Sequence, residues 1–249
     1  RALPHRQAPR PEFHGPWTRY HANGVLAEKG SYNIGSKSGE WIRWHSNGTK
    51  AHVVTFKRGM ESGASKTWHD NGQVHSSGKF KSGIRIGMWS FYNDRGQPTS
   101  KGSFKSGQRH GRWLLYDSQG KPRSKGNYRL GRMIGRWTHF DARGRKVGTC
   151  IWTAKADGDL QDCRRNNGIP IRKGVVVDGS EEGLWTYFHR NGKKSSAGEM
   201  RAGFRHGTWR FWYNSGKKRA KGSYINGEKS GTWTCWDENG QRAKCKKAR

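Results

Sequence analysis

Four histidines (His21, His45, His69, His189) and four cysteines (Cys150, Cys163, Cys235, Cys245) are the residues of this chain best suited to chemistry. Imidazoles can serve as general bases or zinc ligands, and thiols as nucleophiles, metal ligands or disulfide partners. Spacing removes most of these roles. Each histidine stands four residues after a recurring tryptophan position, and Asp117, Asp141 and Asp237 take the same place elsewhere. If every copy of that pattern supplies two strands, equivalent residues lie about 10 Å apart at roughly 4.8 Å per strand. Imidazoles so separated cannot share a metal whose ligands bind at about 2 Å. A turn-capping role fits the position instead, and His110 and His206, each just before a glycine, also read as turn residues. No nucleophile elbow, phosphate-binding loop or paired carboxylates on a regular scaffold stands out. The expectation is a chain with no catalytic residue, no metal ligand and no cofactor.

The cysteines read as two local pairs. Cys235 and Cys245 lie five residues either side of Gly240, and Cys150 and Cys163 bracket Ala156-Asp157. If Gly240 and Ala156-Asp157 are hairpin turns, each pair faces across its hairpin at a separation that suits a disulfide. Zinc is the rival, but no C-x-x-C or clustered Cys/His set supports it. Two pairs with no odd cysteine point to an oxidising compartment, hence a secreted, periplasmic or cell-surface protein. The chain opens on Arg1 rather than Met, so it is expected to be processed or trimmed, with any export signal outside it.

The third candidate chemistry is charge. Lys plus Arg number 49 against 18 Asp plus Glu, a formal net charge of +31. The cations fall into columns. Twelve residues after the tryptophan position come Lys29, Lys101, Lys125, Lys173 and Lys221, and sixteen after it come Lys57, Lys81, Lys105, Arg129 and Arg201. Twenty after it, expected in a connecting turn, come Lys37, Arg85, Arg109, Arg205 and Lys229. A solvated face that guards strand edges explains some of these. Mixed charge would serve that end as well, so the surplus points further, to a ladder of cations on which an anionic polymer lies and releases its counterions.

What must position these columns is a repeat. Trp recurs at 17, 41, 89, 113, 137, 185, 209 and 233, every gap 24 or 48, with Ser65 and Gln161 at the two absent positions. Seven residues later a glycine follows in all ten units, and three residues later an aromatic in nine, Arg164 being the exception. A second glycine at 30, 78, 102, 126, 174, 198 and 222 precedes a large side chain by two residues: Tyr32, Phe80, Phe104, Tyr128, Met200 or Tyr224 in six of these units. Asn-Gly pairs between aromatic segments signal hairpins. In Lys101-Gly102-Ser103-Phe104-Lys105 strict alternation puts Gly and Phe on one face and the other three residues on the opposite one. The bare glycine leaves room for a neighbouring Trp ring to lie across it. In the first strand the two aromatics are three apart, so there is either a bulge or a ring on each face.

The unit resembles the bacterial variant of the MORN repeat, with its G-x-W-x-x-Y-x-x-N-G and G-x-Y-x-x-G halves, as in Gly183 through Gly192. The resemblance covers about residues 15–249. It implies an all-β fold: an elongated single-layer or rolled antiparallel array of consecutive hairpins, about twenty short strands in all. It implies little about function, because family members include scaffolds, membrane-associated modules and antitoxin-like proteins.

Two regions depart from the repeat. Residues 1–14 hold three of the seven prolines and read as a basic extended arm. Residues 145–182 lose Trp and aromatic positions and carry Asp157, Asp159, Asp162, Asp178, Glu181 and Glu182, a decayed unit, a cation site or a partner contact. The function expected from all this is non-enzymatic binding of an anionic polymer (polysaccharide or nucleic acid) or an anionic membrane or envelope surface. The alternatives are an assembly protein that associates end to end into filaments, and an antitoxin-like inhibitor of an acidic protein.

Overall fold

The structure is a computed structural model that describes residues 12–155 and 157–245. Most of the N-terminal arm and the basic residues after Cys245 therefore lie outside the described residues. Residues up to Arg132 form one compact body and those from Met133 a second. The first carries β1 (Gly15–Tyr20), β2 (Leu26–Asn33), β3 (Ser36–Trp44), β4 (Lys50–Lys57), β5 (Met60–Trp68), β6 (Val74–Lys81), β7 (Ile84–Tyr92), β8 (Pro98–Lys105), β9 (Gln108–Tyr116) and β10 (Pro122–Arg129). The second carries β11 (Arg132–Phe140), β12 (Lys146–Lys155), β13 (Gly158–Arg165), β14 (Pro170–Val177), β15 (Ser180–Phe188), β16 (Lys194–Arg201), β17 (Phe204–Trp212), β18 (Lys218–Ile225), β19 (Glu228–Trp236) and β20 (Arg242–Ala243). Within each body every strand pairs antiparallel with its chain neighbours, as a run of hairpins must. The protein is all-β, with no helix among the described residues.

Two kinds of turn alternate. Apart from β12–β13, the connection from one unit to the next is a two-residue turn in which both residues have positive φ, such as Ile34-Gly35, Arg58-Gly59 and Ser106-Gly107. Such mirror-image turns match the twist of paired strands. A non-glycine residue in this conformation costs roughly 1–2 kcal/mol. The glycine N–H that follows it bonds back to the preceding unit, Gly59 to the Lys37 carbonyl and Gly107 to that of Arg85. The Asn-Gly segment is a different object from the tight hairpin turn that its residues suggest. It sits in a five-residue loop closed by His21 N–H to the Val25 carbonyl, and only the glycine is left-handed. The asparagine instead bridges units: Asn23 Nδ2 donates to the Ser46 carbonyl at 2.8 Å, and Asn47 Nδ2 to that of Asp70 at 2.7 Å.

The core is built at the seams between units. At the β2–β3 seam the register jumps, since Lys29 opposes Ile42 but Ser31 opposes Ser38. Three residues of β3, Gly39 to Trp41, thus face the single Gly30, and Gly39 takes a φ of 71° to allow it. This bulge swings the Trp41 ring across the backbone of Gly30. A Cβ on Gly30 would lie 2.2 Å from that ring, and on Gly78 or Gly102 2.1 or 2.3 Å from Trp89 or Trp113. Gly174, Gly198 and Gly222 meet Trp185, Trp209 and Trp233 in the same way. The bulge also frees a strand carbonyl, and the indole N–H takes it up: Trp41 to Ser31 at 3.1 Å, Trp113 to Ser103 at 3.0 Å, Trp209 to Glu199 at 2.9 Å. Where the residue two after the glycine is aromatic, its ring stands edge-on between successive tryptophans: Tyr32 against Trp41, Phe104 against Trp113, Tyr224 against Trp233.

Where the tryptophan is missing, its glycine is missing too. Val54, 1% exposed, faces Ser65, and Cys150 takes the glycine's place opposite Cys163 in the seam where Gln161 replaces Trp. Cys150 and Cys163 form a disulfide there, and Cys235 and Cys245 form the second across the last hairpin. At the other end Phe13 packs edge-on against Trp17 and Tyr32, and its carbonyl accepts the Gly35 N–H.

Candidate functional site

The register settles where the rings of the first strand point. In β7, Trp89 and Phe91 stack at 5.9 Å, so alternate residues share the face of the core. The aromatic three after the tryptophan therefore lies on the opposite face. Lys66, one residue after the Ser65 slot, stands 5.4 Å from the ring of Trp68 on that face. The irregularity near these rings is in the partner strand: Arg43 opposes His52 while Trp44 opposes Lys50, which leaves Ala51 as an extra residue. Both faces carry aromatic rings.

The cation columns divide between the two faces. Those twenty after the tryptophan position are on strands rather than in turns, and they lie over the core rings. The Lys37 Nζ is 3.8 Å from the Trp41 ring centre, and the Arg109 and Arg205 guanidinium carbons 4.5 and 4.7 Å from those of Trp113 and Trp209. Arg85 covers Trp89 and Lys229 covers Trp233. Such contacts cover an apolar face that no second layer protects among the described residues. Phe13 is the same position one unit earlier, filled by a ring. The two-residue register jump at the bulge is why counting along the chain misplaces this column.

The other two columns share the opposite face. Lys29, Lys101, Lys173 and Lys221 are exposed, and Lys125 is half-buried. Lys57, Lys81, Lys105, Arg129 and Arg201 are all exposed. Arg201 approaches Glu199 at 3.8 Å, whereas no ion pair holds Lys57, Lys81, Lys101 or Lys105 among the described residues. Strand alternation sets the two cations of one unit four residues apart, and neighbouring units repeat them about every 10 Å.

The remaining candidates are structural. His21, His45, His69 and His189 each place Nε2 2.9–3.1 Å from the carbonyl of an aromatic in the next unit. Tyr213 makes the same link through its hydroxyl, while Asp117, Asp141 and Asp237 cap their own turns. Two backbone N–H groups and Arg145 hold the Asp141 carboxyl below the usual carboxylate range. The acids of the irregular region are used separately. Asp162 pairs with Arg164, Glu181 with Arg172 and the Tyr187 hydroxyl, and Glu182 accepts the Ala202 N–H. Burial, then Glu181, pushes Tyr187 up to about 12. Among the described residues no three His, Cys, Asp or Glu side chains gather as metal ligands.

One polar cluster went unnoticed in the sequence. Glu28, buried beneath Lys37 at 2.6 Å and Arg43 at 3.2 Å, starts a row that continues through His52 to Ser65, with His52 Nε2 2.9 Å from the Ser65 hydroxyl. Burial, then Arg43 and Lys37, lowers the His52 pKa to about 4, so this imidazole is neutral. It fills the seam that lacks Trp. The signal was available, because a polar Ser65 in the tryptophan slot needs a hydrogen-bond partner.

These features define a tandem β-hairpin repeat protein with one ring-packed face and one cationic face. The model of the MORN repeat variant matches residues 13–33, 109–129 and 205–226, and the matched segments are repeats of that kind. The first two matches start 109 − 13 = 96 residues apart, as do the next two, four units of 24. No curated protein matches the chain. Among solved structures, a Tc holotoxin pore of Photorhabdus luminescens is similar at 10% identity and a TM-score of 0.20, covering 92% of this chain and 14% of its own. A TcdB2–TccC3–Cdc42 complex is similar at 10% identity and a TM-score of 0.18, covering 83% and 15%. Likeness this distant carries nothing about function.

Proposed function

We propose that this protein is a non-catalytic binder of an anionic polymer, which lies across the strands on the face opposite the tryptophan row. The observation that supports this most is the division of the cations. One column is engaged with the core rings, while Lys57, Lys81, Lys101 and Lys105 stand exposed on the other face, without ion pairs among the described residues. Fixed charges at the strand period suit a linear partner, since each contact releases counterions without ordering a loop. An exported or envelope setting fits the two disulfides, which are compatible with an extracellular or periplasmic location. The test is affinity for duplex DNA, a carboxylated polysaccharide and a neutral glycan across a salt series. Binding to at least one polyanion that persists at physiological salt, with none to the neutral glycan, is expected. Indifference to charge, or loss of all binding by about 0.15 M salt, contradicts the proposal.

A further inference from the structure

The cationic face also holds a row of rings. In the first body the aromatic three after each tryptophan position is Tyr20, Trp44, Trp68, Tyr92 or Tyr116, one on every other strand. Tyr20 is 47% exposed and the other four are half-buried, although their face is not the core. All five are Tyr or Trp, which pair an apolar ring with a polar group. The lysine column runs beside them: Lys29 opposes Thr18 on one side and Ile42 on the other, each two residues from a ring, and Lys101 is placed alike between Ser90 and Leu114. The second body's row differs, with Arg164 interrupting it and Phe188 in place of a Tyr or Trp.

We infer that this row is a stacking track for an acidic polysaccharide, a deepening that rests on the polymer-binding reading. The repeat of the face selects this class. One ring and up to two cations recur about every 10 Å, at roughly 4.8 Å per strand. A sugar chain with one carboxylate per two-sugar unit presents a flat C–H face and a negative charge at a similar interval. Single-stranded nucleic acid stacks successive bases on rings spaced at its shorter nucleotide step. Duplex DNA, at roughly 3.4 Å per base pair, offers several phosphates per repeat and keeps its base faces inside, so the rings would cover nothing. Sugar stacking adds a component of affinity that salt does not screen, whereas the lysine contacts are screened.

The test compares the full chain on a polyuronate whose uronic acids alternate with uncharged sugars, on polyacrylate of matched charge density and on single-stranded DNA, each extrapolated to high salt. Polyuronate is expected to retain at least about ten-fold higher affinity there than either rival, in line with the worth of one stacked ring. Tyr92→Ala with Tyr116→Ala should remove that ten-fold excess, leaving the salt slope and the polyacrylate affinity unchanged. Equal affinity for polyuronate and polyacrylate overturns the track while the polymer-binding reading stands. A salt-resistant component on single-stranded DNA alone assigns the row to nucleobases and overturns it too. Absence of binding to all three removes both proposals. The wild-type comparison decides the matter even where the double variant fails to fold.

Discussion

The two faces of this protein use the same residue types for opposite ends. On one, Trp113 lies across Gly102, edge-on to Phe104, with Arg109 over it, and other units repeat parts of this arrangement. On the other, Lys57, Lys81, Lys101 and Lys105 make no ion pair among the described residues, and Lys101 stands near the half-buried Tyr92 and Tyr116. A cation is structural or available according to which face the register gives it, and neither charge nor composition reports that. The comparison teaches that the core contacts are concentrated on one face, which leaves the other free to vary.

The largest effect should come from breaking a seam. Gly102→Val places carbon against the Trp113 ring and should destabilise the first body by about 2–4 kcal/mol, with Trp113→Ser alone costing about 3–5 kcal/mol. Together they recreate the Val54–Ser65 seam. The double variant should then lose at least about 1 kcal/mol less than the sum of the two, as denaturant unfolding can measure. Strict additivity would mean that glycine and tryptophan are not a complementary pair.

Replacing Cys150 and Cys163 by Ser should cost about 2–4 kcal/mol, since it removes the bond that fills a seam without Trp. The Cys235–Cys245 pair joins a terminal strand of only two residues, so its loss should have the smaller effect on the thermal midpoint.

A smaller effect is set by pH. His52 titrates near 6.5 when unfolded and near 4 when folded. Between those values the unfolded chain binds a proton that the folded chain refuses, so stability falls on acidification from about pH 6.5 to about pH 4 and is complete above that window. His75, also lowered by burial, acts in the same direction. His52→Gln should make the midpoint less dependent on pH in this range, and an unchanged dependence would remove His52 as a cause.

Much of this was legible in the residues. The 24-residue period, the hairpins, both disulfide pairs and the crossing of glycine by tryptophan follow from spacing and alternation. The coupling across seams was legible as well. Gly30, Gly78, Gly102, Gly174, Gly198 and Gly222 each precede a Trp by eleven residues, whereas Val54 and Cys150 precede Ser65 and Gln161. It is visible only once residues of adjacent units are known to touch. The column over the rings was not legible. Two-residue alternation fails where Gly39 and its equivalents add residues to one strand, so Lys37 reads as a turn residue and proves to cover Trp41.

The most direct test sets two triple variants side by side, Lys81→Gln, Lys101→Gln, Lys105→Gln against Arg85→Gln, Arg109→Gln, Arg205→Gln, each measured for unfolding and for duplex DNA affinity across salt. Equal charge is removed from each face. The lysine variant should keep its stability within about 0.5 kcal/mol and flatten the salt slope by roughly 2–3. The arginine variant should lose about 0.5–1 kcal/mol per site and keep most of its slope. Equal loss of slope in both would show that net charge alone attracts the polymer, and would contradict a binding face.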